Sequence, residues 1–381
     1  INILIFCSLS RLDKYLSEMK ILCVIGTRPE AIKMAPVILE LRKKSFQVRV
    51  LATAQHRNLL DQVLDLFCIV PDIDFNIMRP NQSLAPLTAR LLLSAEEVLA
   101  SEKPDAVLVQ GDTTTVMAVT LACFYHHIPI GHVEAGLRTW DMDNPFPEEA
   151  NRVITGKLAR WHFAPTEESR LNLMRDGISD NNIFITGNTV IDALLSLADQ
   201  NLALPINLDP DKRLVLITAH RRENFGEPLR SICQAIKSLA QNNPGVEFLY
   251  PVHPNPNVTE TVNELLASQK NVHLCAPLDY AHFVAVMKRS FLILTDSGGI
   301  QEEAPALSKP VLVLRNETER PEAVTQGVAK LVGHDYDRIL SETQRLLDDE
   351  LAYFAMRKGI SPYGDGHAAE RIVKVLEERL P

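Results

Sequence analysis

The sequence lacks the features of membrane proteins, disulfide-rich proteins and nucleic-acid-binding proteins. No apolar run reaches the ~18 residues that a membrane-spanning helix needs. The six cysteines form no Cys-X-X-Cys pair and most have apolar neighbours, so we expect reduced core thiols in a cytoplasmic protein. The formal net charge of -9 over 381 residues argues against a general basic surface, and we expect no nucleic-acid partner.

Several cofactor and catalytic motifs are also missing. No Gly-X-Gly-X-X-Gly sequence follows a predicted strand, which argues against a dinucleotide cofactor. His-Glu-X-X-His and paired Cys-X-X-Cys ligand sets are absent, so we expect no metal. A Gly-X-Ser-X-Gly nucleophile turn is absent as well. The sequence therefore predicts a protein without a cofactor.

Short apolar segments alternate with segments of helical periodicity from Lys20 onward. Uninterrupted apolar strands separated by helices form parallel sheets that are covered on both faces, so the pattern predicts an α/β fold of two doubly wound, Rossmann-like domains. The periodicity stops within Asp199–Arg213, where we place the domain boundary. Ligands of such sheets bind beyond the carboxyl ends of the strands, and we expect a site in a cleft between the domains. We expect residues 1–18 to be an extension of no catalytic importance.

The predicted strands share a short, apolar, often β-branched composition. In the first half they are Ile21–Gly26, Val48–Thr53, Ala106–Gln110, Ile128–Val133, His162–Ala164 and Ile183–Gly187. In the second half they are Leu214–Ala219, Val246–Val252, Val272–Ala276, Phe291–Thr295 and Pro310–Leu314.

Basic side chains follow the first predicted strand. The segment "GTRPEAIKMAP" contains Arg28 and Lys33 near the predicted start of a helix. Gly26 permits a close approach of the backbone, and Pro29 suits the first helical turn. We interpret Arg28 and Lys33 as phosphate or sugar contacts, although a strand–helix turn with surface bases remains the alternative.

Carboxylates follow three other segments of the first half. Asp112 lies in "QGDTTT", Glu134 in "GHVEAGLRT", and Glu148 with Arg152 in "PEEANR". Asp112 could act only as a helix cap, and one of Glu148 and Glu149 could be structural, because acidic residues favour helix amino ends. Three carboxylates that converge suit acid–base chemistry better than capping does, since crowding drives their pKa values apart.

The second half places cationic and glycine-rich segments at its strand ends. "TAHRRENFG" contains His220, Arg221 and Arg222, a combination that suits an anion, and His253 follows the next strand. "TDSGGIQEEAP" joins an apolar strand to a helix, and such a junction offers backbone N–H groups to a phosphate.

These segments, with "ERPE" after them, occur in the order found in the non-hydrolysing UDP-N-acetylglucosamine 2-epimerases of bacteria, and the sequence resembles that family from about Met19 to the C-terminus. The resemblance implies the GT-B glycosyltransferase-like fold, in which a terminal helix, here about Gly366–Leu380, returns to the first domain. The implied domains are residues 19–200 with 366–381, and residues 201–365, which would bind the nucleotide.

The resemblance also implies an activity. Family members interconvert UDP-N-acetylglucosamine and UDP-N-acetylmannosamine by eliminating UDP to form 2-acetamidoglucal and adding it back, which supplies N-acetylmannosamine for cell-surface polysaccharides. They are commonly homodimers, and some are activated allosterically by their own substrate.

Site residues carry over by their positions in the shared motifs. The implied catalytic residues are Asp112, Glu134, Glu148 and His220. The implied contacts of the UDP-sugar are Arg28, Lys33, Arg152, Phe283, Ser297, Gly298, Gly299, Glu303 and Arg320. Glu303 would accept hydrogen bonds from ribose hydroxyls, whereas Glu302 would be a solvated neighbour. Groups suited to a possible allosteric site are Gln55, Arg221, Arg222 and His253.

Three alternatives remain open at this stage. A GT-B glycosyltransferase that uses a nucleotide sugar would share the fold and the "DSGG" segment, but it gives no clear reason for three carboxylates in the first domain. A hydrolysing epimerase would release free N-acetylmannosamine and usually carries an added kinase domain. A regulator that binds a nucleotide sugar without catalysis is disfavoured by the presence of Asp112, Glu134 and Glu148.

Overall fold

The computed structural model describes residues 19–53, 57–77, 82–200, 202–204, 206–359 and 361–380. The chain divides into two compact units, residues 1–189 with 367–381 and residues 190–366. The division falls earlier than Asp199–Arg213, where the apolar periodicity stops. Helix Thr189–Ala198 leads into the second unit, in which the Ala198 carbonyl accepts a hydrogen bond from Lys288 Nζ.

The first unit is a parallel sheet with helices between its strands. Its strands are β1 Met19–Ile25, β2 Phe46–Ala52, β3 Ile73–Asp74, β4 Ala106–Gln110, β5 Ile130–Val133, β6 Trp161–Ala164 and β7 Ile183–Ile185. Its helices up to β7 are α1 Arg28–Arg42, α2 Arg57–Leu66, α3 Leu84–Glu102, α4 Thr114–Tyr125, α5 Glu148–Leu158 and α6 Glu167–Arg175, with a 3-10 turn at Asp180–Asn182. Within the described residues the strand order is β3-β2-β1-β4-β5-β6-β7.

The second unit repeats this architecture. Its strands are β8 Arg213–Thr218, β9 Val246–Pro251, β10 Val272–Cys275, β11 Leu292–Thr295, β12 Val311–Val313 and β13 Ala329–Leu331. Its helices are α7 Thr189–Ala198, α8 Glu227–Asn242, α9 Pro256–Leu266, α10 Tyr280–Arg289, α11 Gly298–Ala306, α12 Pro321–Thr325, α13 Tyr336–Asp348 and α14 Glu350–Met356, with a 3-10 turn at Arg222–Asn224. The strand order over the described part of the chain is β10-β9-β8-β11-β12-β13, and every pairing is parallel.

The last helix, α15 Ala368–Arg379, belongs to the first unit and packs against α1. Lys44, just beyond α1, forms an ion pair with Glu377 of α15 at 3.6 Å. The buried face of α15 includes Ile372, Val373 and Leu376, and the burial of these apolar side chains stabilises the packing of the helix on the first unit.

The two predicted parallel sheets are confirmed, and two short edge strands were missed. β3 contains two residues and β13 three, too few for a recognisable apolar pattern. The central strands β1, β4, β8 and β11 are buried over most of their length, as expected for strands with helices on both faces. Among the described residues, no helix is both long and apolar enough to cross a membrane.

Candidate active site

The strand order of the first unit brings three strand ends together. β1 pairs with β4 and β4 pairs with β5, so the segments that follow these strands adjoin at one edge of the sheet. After β1, Thr27 caps α1 through a hydrogen bond from the Glu30 backbone N–H, and Pro29 occupies the first turn. This turn places half-buried Arg28 at the start of α1, with Lys33 about one turn further along.

Glu134 lies directly after β5 and is 8% exposed. Its backbone is left-handed, with φ of 63°, which turns the chain sharply at the strand end. The carboxylate accepts hydrogen bonds from Lys33 Nζ at 2.5 and 2.6 Å, from Asn188 Nδ2 at 2.9 Å and from Gln110 Nε2. A carboxylate with these donors is held in one orientation.

Asp112 follows β4 after Gly111, whose φ of 80° is readily adopted by glycine. Two backbone carbonyls of this turn are fixed by side chains: His132 Nε2 lies 2.7 Å from Gly111 O, and Asn151 Nδ2 donates to Asp112 O at 2.9 Å. Arg152 then binds the Asp112 side chain, with Nε at 2.9 Å and Nη2 at 2.7 Å from Oδ2. The first turn of α5 therefore holds Asp112 from one side.

The same helical turn contains two adjacent glutamates with different surroundings. Glu149 is 1% exposed and accepts hydrogen bonds from Arg152 Nη1 at 3.0 Å and from the Trp140 backbone N–H at 3.1 Å. Glu148 is half-buried on the first turn. Of the two glutamates, Glu149 is therefore the one that forms an ion pair with Arg152.

Burial sets the protonation of three neighbouring groups. It raises the pKa of Glu30 to about 7, against hydrogen bonds with Thr113, Gly26 and Thr27 that lower it. Burial lowers the pKa of His132 to about 4, so this imidazole is neutral near pH 7 and its Nε2–H can donate to Gly111 O. Burial also disfavours the charged guanidinium of Arg152, but Asp112 and Glu149 outweigh it and raise the pKa of Arg152.

In the second unit, the ends of β8 and β11 adjoin and position His220 beside Asp296. Asp296 is fully buried, and its Oδ2 accepts from the backbone N–H groups of His220 at 2.8 Å and Arg221 at 2.7 Å. Asn224 Nδ2 donates to the same oxygen at 3.0 Å. The His220 ring lies with Nδ1 3.7 Å from Asp296 Oδ1 and stacks on exposed His253 at a centroid distance of 5.4 Å. Burial lowers the pKa of His220, Asp296 opposes this shift, and His253 adds to it.

The Gly-Gly junction opens helix α11. Ser297 is the residue before the helix, and Gly298 and Gly299 form its first turn, so backbone N–H groups point out of its amino end. Arg221 Nη2 lies 3.8 Å from the position that a Cβ on Gly298 would occupy. A helix amino end with a nearby guanidinium is a suitable place for a phosphate group.

Glu303 and Glu302, one turn further along α11, are both buried. Glu303 Oε1 accepts a hydrogen bond from Tyr280 Oη at 2.7 Å. The expectation that Glu302 is solvated is wrong: it is 3% exposed and forms an ion pair with Arg320 Nε. The sequence did not indicate that Glu302 is paired, because its partner Arg320 comes from another segment of the chain.

The remaining predicted residues are placed as follows. Phe283 lies half-buried on α10, Arg222 is exposed in the turn after β8, and Gln55 lies outside the described residues. The sequence predicted Lys33, Glu134, Asp112 and Arg152 as members of one site but not as pairs, and the structure pairs Lys33 with Glu134 and Asp112 with Arg152. The predictions missed Gln110, Asn188, Asp296 and Tyr280. Gln110 and Asp296 end or follow predicted strands, a position that could have indicated them. No group of three or more His, Cys, Asp or Glu residues in the described ranges is arranged to hold a metal ion.

Comparisons with known proteins agree with this architecture. The sequence profile of the UDP-N-acetylglucosamine 2-epimerase family matches residues 39–377. A curated protein named UDP-N-acetylglucosamine 2-epimerase, from Escherichia coli strain K12, is 55% identical over 370 residues, which cover 94% of this chain and 98% of that protein. The crystal structure of UDP-GlcNAc 2-epimerase from Neisseria meningitidis bound to UDP-GlcNAc is 50% identical, with a TM-score of 0.86, over 95% of this chain and 100% of that one.

The glycotransferase of kitacinnamycin is only 13% identical but has a TM-score of 0.67 over 96% of this chain and 100% of its own. That likeness concerns the fold alone, and with the two parallel sheets it confirms the predicted Rossmann-like, GT-B-like fold class. The family profile and the 55% identity over nearly the whole chain show that the chain belongs to the UDP-N-acetylglucosamine 2-epimerase family.

Proposed function

We propose that this protein catalyses the reversible epimerisation of UDP-N-acetylglucosamine to UDP-N-acetylmannosamine at C2 of the sugar. Family membership supports the reaction. The observation that carries the chemistry is the pair of fixed carboxylates at one sheet edge of the first unit, Glu134 with Lys33 and Asp112 with Arg152. Carboxylates that are held in one orientation at strand ends are positioned to move a proton.

The substrate explains why more than one carboxylate is needed. The C2–H bond of the sugar is not next to a carbonyl carbon, so the proton cannot be removed by enolisation. In the proposed route, the C2–H bond breaks and its electrons form the C1=C2 double bond of 2-acetamidoglucal. The C1–O bond breaks in the same process, and UDP leaves with that electron pair. UDP then adds back at C1 while a proton reaches the opposite face of C2, which requires both a base and an acid.

We assign this proton transfer to Asp112, Glu134 and Glu148. Asp112 and Glu134 are oriented by Arg152 and Lys33, and both cations also stabilise negative charge that develops nearby. Glu148 begins α5, and Arg152 lies about one turn further along the same helix. Arg28 and Lys33, at the start of α1, are assigned to substrate binding.

We assign the UDP group to the second unit. The amino end of α11, with Ser297, Gly298 and Gly299, offers N–H groups to the diphosphate, and His220 and Arg221 add donors in the same region. Glu303 is assigned to the ribose hydroxyls, because a carboxylate accepts hydrogen bonds from them. Phe283 and Arg320 are assigned to the same ligand on the basis of the family resemblance.

The deciding experiment uses heavy water. The protein is incubated with UDP-N-acetylglucosamine in D2O, and the sugar is followed by NMR. Deuterium at C2 of sugars that still carry UDP is expected. Failure of deuterium to enter C2 contradicts the proposal, and release of free N-acetylmannosamine with UDP identifies hydrolysis instead.

Single variants test the assigned roles. Asp112→Asn and Glu134→Gln should lower turnover by about 10²-fold or more, while UDP affinity measured by calorimetry stays the same. Asp65→Asn, an exposed position on α2, is the matched control. Glu303→Ala should instead weaken UDP binding. Normal turnover in Asp112→Asn or normal UDP affinity in Glu303→Ala removes that residue from its assigned role.

Assembly, location and regulation follow from the family resemblance. We propose that the protein is cytoplasmic and forms a homodimer. Sedimentation equilibrium measures the mass of the assembly and so tests the dimer. We also propose that UDP-N-acetylglucosamine activates the enzyme at a second site that includes Arg221, Arg222 and His253. A strictly hyperbolic rate curve with pure UDP-N-acetylmannosamine as substrate contradicts this regulation.

A further inference from the structure

Arg152 joins two carboxylates through three of its nitrogens. Its Nε and Nη2 both contact Oδ2 of Asp112, at 2.9 and 2.7 Å, and its Nη1 contacts Oε2 of Glu149 at 3.0 Å. The guanidinium is therefore clamped between the end of β4 and its own helical turn. One positive charge is shared by two negative ones.

Glu149 is the fixed member of this trio. It is 1% exposed, and its second oxygen, Oε1, accepts a hydrogen bond from the Trp140 backbone N–H at 3.1 Å. A buried carboxylate is costly unless its oxygens are paired, and here the two oxygens have separate partners. Glu149 thus cannot follow Arg152 if the guanidinium turns, so Arg152 is held in place by Glu149.

We propose that Glu149 is a positioning residue that acts through Arg152 on the carboxylate of Asp112. The proposal rests on the proposed function in one respect, that Asp112 exchanges a proton with C2 of the sugar. Because both Arg152 contacts fall on Oδ2, the proton is exchanged at Oδ1. Without Glu149, the long Arg152 side chain regains rotamer freedom, and the Asp112 carboxylate that it holds loses its fixed orientation.

Other groups act on the Asp112 turn and must be kept constant. Glu30 of α1 is buried within electrostatic reach of Asp112, and His132 of β5 holds the Gly111 carbonyl. Asn151 holds the Asp112 carbonyl. The test therefore changes Glu149 alone and leaves these contacts intact.

The kinetic test compares Glu149→Gln and Glu149→Ala with Glu168→Gln, an exposed glutamate in the first turn of α6. For the Glu149 variants, kcat is expected to fall by about 10- to 100-fold, with KM and the calorimetric affinity for UDP changed less than about twofold. The isotope effect of deuterium at C2 of the substrate should rise, because proton transfer becomes slower relative to the other steps. A loss of kcat that matches the loss of folded protein, with an unchanged isotope effect, overturns the proposal.

A structural measurement keeps this inference separate from the proposed function. The Arg152 Nε–H group, observed by ¹⁵N NMR and assigned with Arg152→Lys, should give a protected signal in the wild type that Glu149→Ala loses. If the wild type leaves UDP-N-acetylglucosamine unchanged but the signal behaves in this way, the proposed function fails and the positioning role stands. If Glu149→Ala retains the protected signal, the positioning role fails whatever the activity.

Discussion

Lys33 Nζ lies 2.5 Å from Oε1 and 2.6 Å from Oε2 of Glu134, although the two residues are 101 positions apart in the sequence. Both side chains are largely buried, with 19% and 6% of their surfaces exposed. Each charge has lost most of its water, and the loss is compensated by the other charge and by the amide donors Gln110 and Asn188. We therefore expect the stability of the first unit to fall when either member of the pair is removed alone, because the other charge is then buried without its partner.

Removing Lys33 alone should destabilise the first unit. Lys33→Met leaves the Glu134 carboxylate buried without its cation, and we expect the free energy of unfolding to fall by about 3 kcal/mol. Urea unfolding followed by circular dichroism measures the change, analysed as separate transitions if the two units unfold separately. Lys44→Met, which breaks an exposed ion pair with Glu377, is the matched control and should change stability by less than about 1 kcal/mol.

The double variant Lys33→Met with Glu134→Gln completes the test. Because the second change removes the buried charge that the first one leaves, the double variant should be more stable than Lys33→Met alone. Strictly additive losses would show that the pair contributes no coupling.

Glu30 should make stability fall as the pH rises. Its pKa is about 7 in the folded chain and near 4.5 in the unfolded chain, so the folded state binds more protons between these values. The unfolding free energy contributed by Glu30 therefore decreases from about pH 4.5 to 7, by a total of about 3 kcal/mol. Glu30→Gln keeps the shape without the titration, and it should gain stability relative to wild type over this interval.

The measurement is the difference between the two pH profiles of urea unfolding, with exposed Glu168→Gln as the control. A difference that stays constant from pH 4.5 to 8 contradicts the assigned titration. The wild-type profile alone is a poor test, because buried histidines titrate in the opposite sense over the same interval.

Much of this arrangement could be read from the sequence because it depends on strand ends. Asp112 and Glu134 follow apolar strands of the first sheet, and His220 and Ser297 follow apolar strands of the second. Because parallel strands of one sheet end at a common edge, the short segments around these residues are enough to predict that each pair lies at one edge. The resemblance to the family then suggested which of these residues are catalytic and which bind the UDP-sugar.

The pairing of long side chains could not be read in this way. Glu148 and Glu149 are adjacent acidic residues on one helical turn, and only the packing of Trp140 and Arg152 shows that Glu149 is the paired one. Glu302 was expected to be solvated for the same reason, since its partner Arg320 lies 18 residues away in another helix–loop segment. Such contacts depend on rotamers and on the meeting of distant segments, which composition and periodicity do not encode.

His132 should make stability rise with pH. Burial lowers its pKa to about 4 from the ordinary value of 6.5, so the unfolded chain binds more protons between these values. The His132 contribution is complete above about pH 6.5 and is lost as the pH falls towards 4, by about 3 kcal/mol. His132→Gln retains an N–H near Gly111 O without a titrating ring, and it should lose less stability in acid than the wild type does. Equal acid losses in the two proteins would show that His132 is protonated freely when folded.

Tyr280 should tune the affinity for UDP through Glu303. Its hydroxyl donates to Glu303 Oε1 at 2.7 Å and so fixes the carboxylate proposed to receive the ribose hydroxyls. Tyr280→Phe should weaken UDP binding by about tenfold, the usual scale for one hydrogen bond to a charged group. Calorimetry measures the loss, and Tyr125→Phe, an exposed tyrosine of the first unit, is the control. With 2′-deoxy-UDP the loss should be smaller, because one ribose hydroxyl is gone. If UDP and 2′-deoxy-UDP lose affinity equally, Tyr280 acts on the nucleotide by a route other than the Glu303–ribose contact.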